Sequence, residues 1–289
     1  MVSDGAGLVA GLAGTGVVEG DASAVCDPLV RGGPSGGDSV DWHAAAMTST
    51  AKPTALGRIF EGYTTTSVTR FRCCCDTRPV REEPVRIAGR LEGTLRIPDT
   101  APRGSVVVAH PLPTHGGTMR NPLVAALARA VAERGFYALR FNFRSVGASA
   151  GEWTGGAEEW RDVGDAVAHA RAVVPGLPVG LAAYSFGAVM SLGWIAEGGR
   201  VEGLALVGLP LRSVSLDRQA LPRVPDGTFI VAAENDQFGT AAELRAEYPS
   251  ARIASVAGVD HFFVGKRDEV GRLVADELLR TLASTVPNT

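Results

Sequence analysis

The sequence has no excess of positive charge, few cysteines and no long apolar run. Its 28 Lys and Arg residues are outnumbered by 31 Asp and Glu residues, which gives a net charge of −3 at pH 7. A basic surface of the kind that binds nucleic acid is therefore not expected. The apolar segments are shorter than a membrane span or are interrupted by charges, so no membrane partner is expected. These absences predict a cytoplasmic protein with a small-molecule partner, and they leave its oligomeric state open.

Cysteine occurs only near the beginning of the chain, as Cys26 and Cys73 to Cys75. Adjacent cysteines cannot pair comfortably with each other, and their spacing is not that of a metal finger. They indicate reduced thiols of the kind that cytosolic proteins carry.

The same part of the chain lacks periodic apolar positions and is rich in Gly, Ala, Ser and Thr. This composition predicts a disordered extension over residues 1–80, followed by one globular domain over residues 81–289. A signal peptide is an alternative for residues 8–18, but no Lys or Arg precedes that apolar stretch and Asp4 does. Met47 offers a second possible start of translation.

The first chemical signal is a serine at a sharp break in the pattern. The apolar run 178–184 predicts a strand, which stops at Ser185, and a small-residue helical pattern follows. Ala183 and Gly187 flank this serine two positions away on either side, so the backbone can pass closely through a strand-to-helix turn. Such a turn is called a nucleophile elbow, and it lifts the serine hydroxyl above the edge of a sheet.

Two later strand-like runs are followed by an acid and a histidine. Asp236 comes after the run 228–233, and His261 comes after the run 252–256. In a parallel sheet the carboxyl ends of the strands meet at one edge, so these side chains are expected near Ser185. A serine hydroxyl is a weak nucleophile that needs an imidazole base, and the imidazole needs a carboxylate to orient it. The three residues are therefore the candidate nucleophile, acid and base.

Glu234 and Asp260 are rivals for the role of the acid. Glu234 lies close to the strand itself, and Asp260 adjoins His261, where sequence neighbours seldom face each other correctly. Asp236 is favoured for these reasons, and the other two stay open as alternatives.

The loop after the first predicted parallel strand supplies the other half of this chemistry. Acyl transfer places negative charge on a carbonyl oxygen, and two backbone N–H groups are needed to receive it. Phe186, directly after the serine, supplies one of them. Pro111 has no N–H, so Leu112 is the preferred second donor, with Gly116 or Gly117 as the alternative.

His110 and Tyr184 are expected beside the substrate, and His110 is also expected to support the loop that follows it. The five histidines show no metal-ligand spacing, so neither a metal nor another cofactor is predicted. Apolar and aromatic residues are expected to bound an open site: Tyr184, Phe186, Leu209, Leu211, Phe238, Phe262 and Phe263.

Strand-like and helical patterns alternate through the second part of the chain. After an antiparallel hairpin at 84–97, the predicted strands are 104–110, 136–143, 178–184, 201–209, 228–233 and 252–256. The predicted helices are Pro122 to Arg134, Glu158 to Val173, Gly187 to Glu197, Ala241 to Glu247 and Asp268 to Ser284. This alternation predicts an α/β fold in which helices cover both faces of a mostly parallel sheet. The connection between Leu209 and Gly227 is short, so no cap domain is expected.

In these motifs and in the order of its elements, the chain resembles the α/β-hydrolase superfamily, in particular the small lidless bacterial serine hydrolases related to dienelactone hydrolase. The likeness covers residues 85–285 and is carried by the segments His110 to Met119, Arg140 to Ser149, Ala183 to Gly187 and Asp260 to Phe263, and by Asp236. It implies an α/β-hydrolase fold and a serine esterase-like catalytic triad of Ser185, Asp236 and His261.

Two residues depart from the pattern of these relatives. Leu112 stands where they often carry a second histidine, and Ala183 stands where the elbow usually has glycine. These departures put the polarity of the loop and the geometry of the elbow in question. Dienelactone hydrolase itself uses a cysteine nucleophile, which is disfavoured here because every cysteine precedes the domain.

These residues predict a serine hydrolase that cleaves a small carboxylic ester or thioester through an acyl-enzyme intermediate. The alternative is a catalytically idle protein of the same fold that binds a small ligand or a partner. Candidate Ser, Asp and His residues at three separate strand ends favour the enzyme, since a binding protein has no need of that set.

Overall fold

The computed structural model describes residues 81–212 and 223–284 of the chain. The predictions made for residues 1–80, including the disordered extension and the four cysteines, lie outside the described residues.

The described residues build one eight-stranded sheet. Its strands are β1 (Glu82–Ile87), β2 (Leu91–Arg96), β3 (Ser105–Ala109), β4 (Tyr137–Phe141), β5 (Val179–Tyr184), β6 (Gly203–Val207), β7 (Phe229–Ala233) and β8 (Arg252–Val256). They lie in the order β1-β2-β4-β3-β5-β6-β7-β8. β2 pairs antiparallel with β1 and with β4, whereas all the remaining pairs are parallel. The mostly parallel sheet predicted from the sequence is confirmed.

Helices cover both faces of this sheet. Among the described residues they are α1 (Pro122–Glu133), α2 (Glu159–Val173), α3 (Phe186–Ala196), α4 (Ala241–Glu247) and α5 (Arg267–Ala283). The apolar side chains of α1 and α5 pack in one core, and those of α2, α3 and α4 pack in a second core. This is the α/β-hydrolase fold, as predicted.

Three of the strands inside the sheet are buried along their whole length. Every residue of β3, β5 and β7 is buried, which is typical of parallel strands covered on both faces. Because these strands run in the same direction, their carboxyl ends meet at one edge of the sheet. The residues that follow them in the chain are therefore brought together.

In residues 81–212 and 223–284, loops rather than a cap domain follow the strands at this edge. None of the helices of these residues combines the length and the apolar character needed to cross a lipid bilayer.

A buried ion pair ties the loop after β4 to α2. The carboxylate of Asp162, which is fully buried, accepts hydrogen bonds from the backbone N–H of Arg144 at 2.9 Å and from its guanidinium Nη2 at 3.0 Å. Nη2 of Arg90 donates to the same carboxylate at 2.7 Å. The loop that leaves β4 is held against the helix layer by these charge-assisted contacts.

Removing this carboxylate should destabilise the fold strongly, because the backbone N–H of Arg144 would lose its acceptor and the buried guanidinium would keep only its contacts with Glu158. We expect Asp162→Ala to lower the free energy of unfolding in urea by about 3–5 kcal/mol. The control is Asp276→Ala, which breaks an exposed pair with Arg134 at 2.7 Å. That variant should lose less than about 1 kcal/mol. Equal losses in the two variants would show that the buried pair does not hold the loop.

Candidate active site

Ser185 lies at the junction between β5 and α3 in a strained conformation. Its φ is 55° and its ψ is −113°, a region that residues with a side chain rarely adopt. A Cβ at position 187 would lie 2.8 Å from the carbonyl oxygen of His110, so only glycine fits there. At the other side of the elbow Ala183 is fully buried within β5. The turn thus forms with alanine at its first small position, and it presents the serine hydroxyl at the edge of the sheet.

The side chains of Ser185, His261 and Asp236 are joined in one hydrogen-bonded row. His261 Nε2 lies 2.8 Å from Ser185 Oγ, and His261 Nδ1 lies 2.8 Å and 3.0 Å from the two carboxylate oxygens of Asp236. A carboxylate only accepts hydrogen bonds, so Nδ1 carries the proton and Nε2 is free to accept one from the serine hydroxyl. The arrangement can remove the hydroxyl proton while the oxygen attacks an electrophile.

The two rival acids have other partners. Glu234 accepts a hydrogen bond from the backbone N–H of Gly258 at 2.8 Å, and Asp260 accepts one from the backbone N–H of Phe262 at 3.0 Å. Of the three acids, all of which lie in the described part of the chain, Asp236 is the one that hydrogen-bonds to the His261 ring.

Asp236 and His261 are held from several sides. The backbone N–H of Phe238 donates to Asp236 Oδ1 at 2.9 Å, and the hydroxyl of Tyr184 donates to the carbonyl oxygen of His261 at 2.9 Å. Burial raises the pKa of Tyr184 well above its ordinary value, so this hydroxyl stays a donor. A Cβ at Gly208 would lie 3.2 Å from the His261 ring, so the chain passes closely beneath the imidazole. Both side chains are almost completely buried, with 2% of Asp236 and 4% of His261 exposed.

The two residues predicted to donate backbone N–H groups, Phe186 and Leu112, line the same cavity as Ser185. Neither the N–H of Phe186 nor that of Leu112 donates to an acceptor among the described residues. The N–H of Gly116 already donates to the carbonyl oxygen of Pro113, and that of Gly117 to the carbonyl oxygen of Leu112, each at 3.0 Å. Leu112 rather than either glycine therefore has a free donor at this position.

The expectation that His110 contacts the substrate needs correction. Its side chain is fully buried and is not part of the cavity wall, because both ring nitrogens face backbone groups of neighbouring loops. Burial lowers the pKa of His110 to about 4, so the ring is neutral near pH 7. The two hydrogen bonds of the ring join the chain at Pro111 to the chain at Phe143. Tyr184, by contrast, does line the cavity.

A cavity of about 180 Å³ opens in front of Ser185. Its wall consists of Pro111, Leu112, His115, Gly116, Gly117, Asn121, Tyr184, Ser185, Phe186, Pro210, Arg212, Phe238, His261 and Phe262. Three residues expected at this wall, Leu209, Leu211 and Phe263, are instead packed in the apolar cores. In the described part of the chain, no group of three His, Cys, Asp or Glu side chains is arranged to hold a metal ion.

Arg212 in the wall of this cavity was not predicted from the sequence. Its guanidinium binds both carboxylate oxygens of Glu243, at 2.7 Å and 3.1 Å. Hydrogen bonds from Arg212 and from Thr240 lower the pKa of Glu243 to about 2, so the pair is ionised at neutral pH. The sequence offers little signal for this contact, because the two residues lie on different elements and share no motif.

Comparison with known proteins points to hydrolases. The family model described as serine aminopeptidase, S33, matches residues 100–237. An uncharacterized protein of Rickettsia prowazekii is 26% identical over 203 residues, which are 66% of this chain and 85% of that protein.

Solved structures of serine hydrolases are also similar. A serine hydrolase without a lid from Xanthomonas campestris is 26% identical, with a TM-score of 0.62, over 73% of this chain and 98% of its own. A serine hydrolase homologue from Coxiella burnetii is 27% identical, with a TM-score of 0.59, over 68% of this chain and 97% of its own. A putative α/β hydrolase from Agrobacterium tumefaciens is 28% identical, with a TM-score of 0.60, over 72% of this chain and 100% of its own.

Neighbouring glycines of the loop before α1 provide a sharp test of its geometry. A Cβ at Gly117 would lie 2.1 Å from the carbonyl oxygen of Pro111 and 2.6 Å from that of Leu112, whereas a Cβ at Gly116 would meet nothing within 4 Å. Gly117→Ala therefore crowds the peptide that carries the Leu112 N–H, and we expect the hydrolytic kcat to fall by roughly a hundredfold.

The matched variant Gly116→Ala strains only the backbone, since the φ of Gly116 is 78°. It should lower the unfolding free energy by about 1 kcal/mol and reduce kcat far less than Gly117→Ala does. Steady-state kinetics and urea denaturation of both variants check this. An equal loss of kcat would mean that contact of the new Cβ with the carbonyl oxygens of Pro111 and Leu112 does not cause the loss.

Proposed function

We propose that this hydrolase of the α/β-hydrolase superfamily cleaves a small carboxylic ester or thioester through an acyl-enzyme intermediate on Ser185. The observation that carries the proposal is the row of hydrogen bonds from Ser185 Oγ to His261 Nε2 at 2.8 Å and from His261 Nδ1 to Asp236 at 2.8 Å. A hydroxyl, a correctly oriented imidazole and a buried carboxylate are the parts that activate a serine.

In the first half of the reaction, Ser185 Oγ attacks the carbonyl carbon of the substrate. His261 Nε2 takes the hydroxyl proton, and the side chain of Asp236 stabilises the imidazolium that results. The carbonyl oxygen becomes an oxyanion that receives hydrogen bonds from the N–H groups of Phe186 and Leu112. When the tetrahedral intermediate collapses, the alcohol or thiol leaves with the proton from His261 and the acyl group stays on the serine.

In the second half, water attacks the acyl-enzyme. His261 takes a proton from the water and returns it to Ser185 Oγ, which releases the carboxylic acid. Loops rather than a cap domain border the strand ends in the described part of the chain, which supports easy entry of water.

The size of the cavity favours a small substrate. Its volume of about 180 Å³ is below the roughly 300–1,000 Å³ of pockets that enclose drug-sized ligands. Its wall is largely apolar near Ser185, where Leu112, Phe186 and Phe238 lie. These features support an ester or thioester with a short, uncharged acyl group.

The serine can be tested by labelling and by turnover. A fluorophosphonate probe should label the full-length protein, and Ser185→Ala should abolish the labelling. We expect this variant to lower kcat for p-nitrophenyl esters by roughly four to six orders of magnitude, because the nucleophile is lost. As a control, Ser284→Ala at the end of α5 should label and turn over like the parent protein. Undiminished turnover in Ser185→Ala would contradict the proposal and favour the catalytically idle alternative.

The acid is tested by a pair of matched substitutions. Asp236→Asn should reduce kcat by about ten-thousand-fold, because an amide stabilises the wrong tautomer of His261 and cannot balance the imidazolium charge. Asp260→Asn should reduce it far less, since that carboxylate binds the backbone of Phe262. Circular dichroism of both variants checks that the fold is kept. The opposite ranking of kcat values would assign the acid to Asp260.

A further inference from the structure

We propose that His110 is a positioning residue: its ring fixes the peptide between Pro111 and Leu112 so that the Leu112 N–H faces the oxyanion. This inference rests on the proposed function, because it concerns the second oxyanion donor of the same site. The His110 ring makes no hydrogen bond to Ser185, His261 or Asp236. Its two hydrogen-bond partners are backbone groups.

The tautomer of His110 follows from its partners. The backbone N–H of Phe143 donates to His110 Nε2 at 3.1 Å, so Nε2 carries no proton. In a neutral imidazole the other nitrogen then holds the proton. His110 Nδ1 lies 2.6 Å from the carbonyl oxygen of Pro111, and it donates its N–H to that oxygen.

This hydrogen bond fixes the direction of the donor that matters. The carbonyl of Pro111 and the N–H of Leu112 belong to the same peptide unit, which is planar and trans, so they point in opposite directions. A carbonyl held by His110 therefore leaves the Leu112 N–H pointing away from the imidazole. Leu112 lines the cavity, and its N–H has no acceptor among the described residues.

The ring itself cannot turn easily. It is fully buried and packs edge-on against the ring of Phe143, with centroids 4.8 Å apart. The Phe143 ring packs in turn against the ring of Phe186, with centroids 5.2 Å apart. Phe143 thus contacts both the residue that carries the first oxyanion donor and the histidine that orients the second.

Because burial keeps the His110 ring neutral near pH 7, the Nδ1–H tautomer persists under the conditions of the reaction. Protonation of Nε2 would turn two donors, Nε2–H and the N–H of Phe143, toward each other. The support that we assign to His110 thus needs the uncharged ring.

Substituting His110 by the two amide residues, asparagine and glutamine, tests its two hydrogen bonds one at a time. The amide of His110→Asn can occupy the position of Nδ1 and donate to the Pro111 carbonyl, but it is too short to reach the N–H of Phe143. The amide of His110→Gln reaches the position of Nε2, where it accepts from Phe143 and leaves the Pro111 carbonyl without its donor. His110→Leu removes both hydrogen bonds at similar volume.

The expected result is a split between kcat and KM. His110→Gln and His110→Leu should lower kcat for short p-nitrophenyl esters by roughly a hundredfold with KM little changed, because an oxyanion donor acts only in the transition state. His110→Asn should keep a kcat at least tenfold above that of His110→Gln, although it is no more stable in urea. If kcat in His110→Asn is equal to or below that in His110→Gln, the proposal is wrong.

A second measurement does not depend on turnover. Crystal structures of the Asn and Gln variants give the orientation of the Pro111–Leu112 peptide directly. The peptide should keep its direction in the Asn variant and lose it in the Gln variant, and an unchanged peptide in both overturns the proposal. If the parent protein hydrolyses no ester and Ser185 is not labelled, the proposed function fails, while the crystal structures still decide whether His110 positions this peptide.

Discussion

The site depends on a close approach between two backbones, that of α3 at its first turn and that of the chain leaving β3. At Gly187 a Cβ would lie 2.8 Å from the carbonyl oxygen of His110 and 2.9 Å from the carbonyl carbon of Ala109, so a hydrogen atom is all that fits. This contact sets the separation between the Phe186 N–H and the loop that carries Leu112. Stabilisation of an oxyanion requires donors that are in place before the charge develops. Two backbones in contact provide such rigid placement.

The strained conformation of Ser185 is maintained by the packing on either side of it. A non-glycine residue at positive φ costs on the order of 1–3 kcal/mol and persists only where its surroundings determine it. The serine N–H donates to the carbonyl oxygen of Val207 at 2.9 Å, which joins the elbow to β6. After the serine, residues 186–193 of α3 are all buried, so the start of the helix cannot shift to relieve the strain. Burial of this helix thus holds the hydroxyl where His261 can reach it.

Much of the fold followed from apolar patterning, because strands buried on both faces leave short continuous apolar runs and amphipathic helices leave a periodic signal. A mostly parallel sheet with helices on both faces was predicted from those signals, the α/β-hydrolase fold was implied by the resemblance to that superfamily, and the structure confirms both. The candidate site was predicted less completely. Ser185, Asp236 and His261 could be named because each follows a strand, but Leu209 and Phe263 were assigned to the cavity wall and lie in the cores. An apolar residue next to a strand end can face either way, and sequence patterns alone do not specify which.

The sequence by itself determined the order of the elements, the strand-to-helix break at Ser185 and the three residue types that follow the strands. The sequence favoured Asp236 but left Glu234 and Asp260 open, and only the tertiary structure shows which of these acids faces the His261 ring. It also turned His110 from a candidate for substrate contact into a buried support whose ring nitrogens bind the backbone at Phe143 and Pro111. Partners of this kind come from separate loops, and their distances are fixed only when the sheet brings the strand ends to one edge.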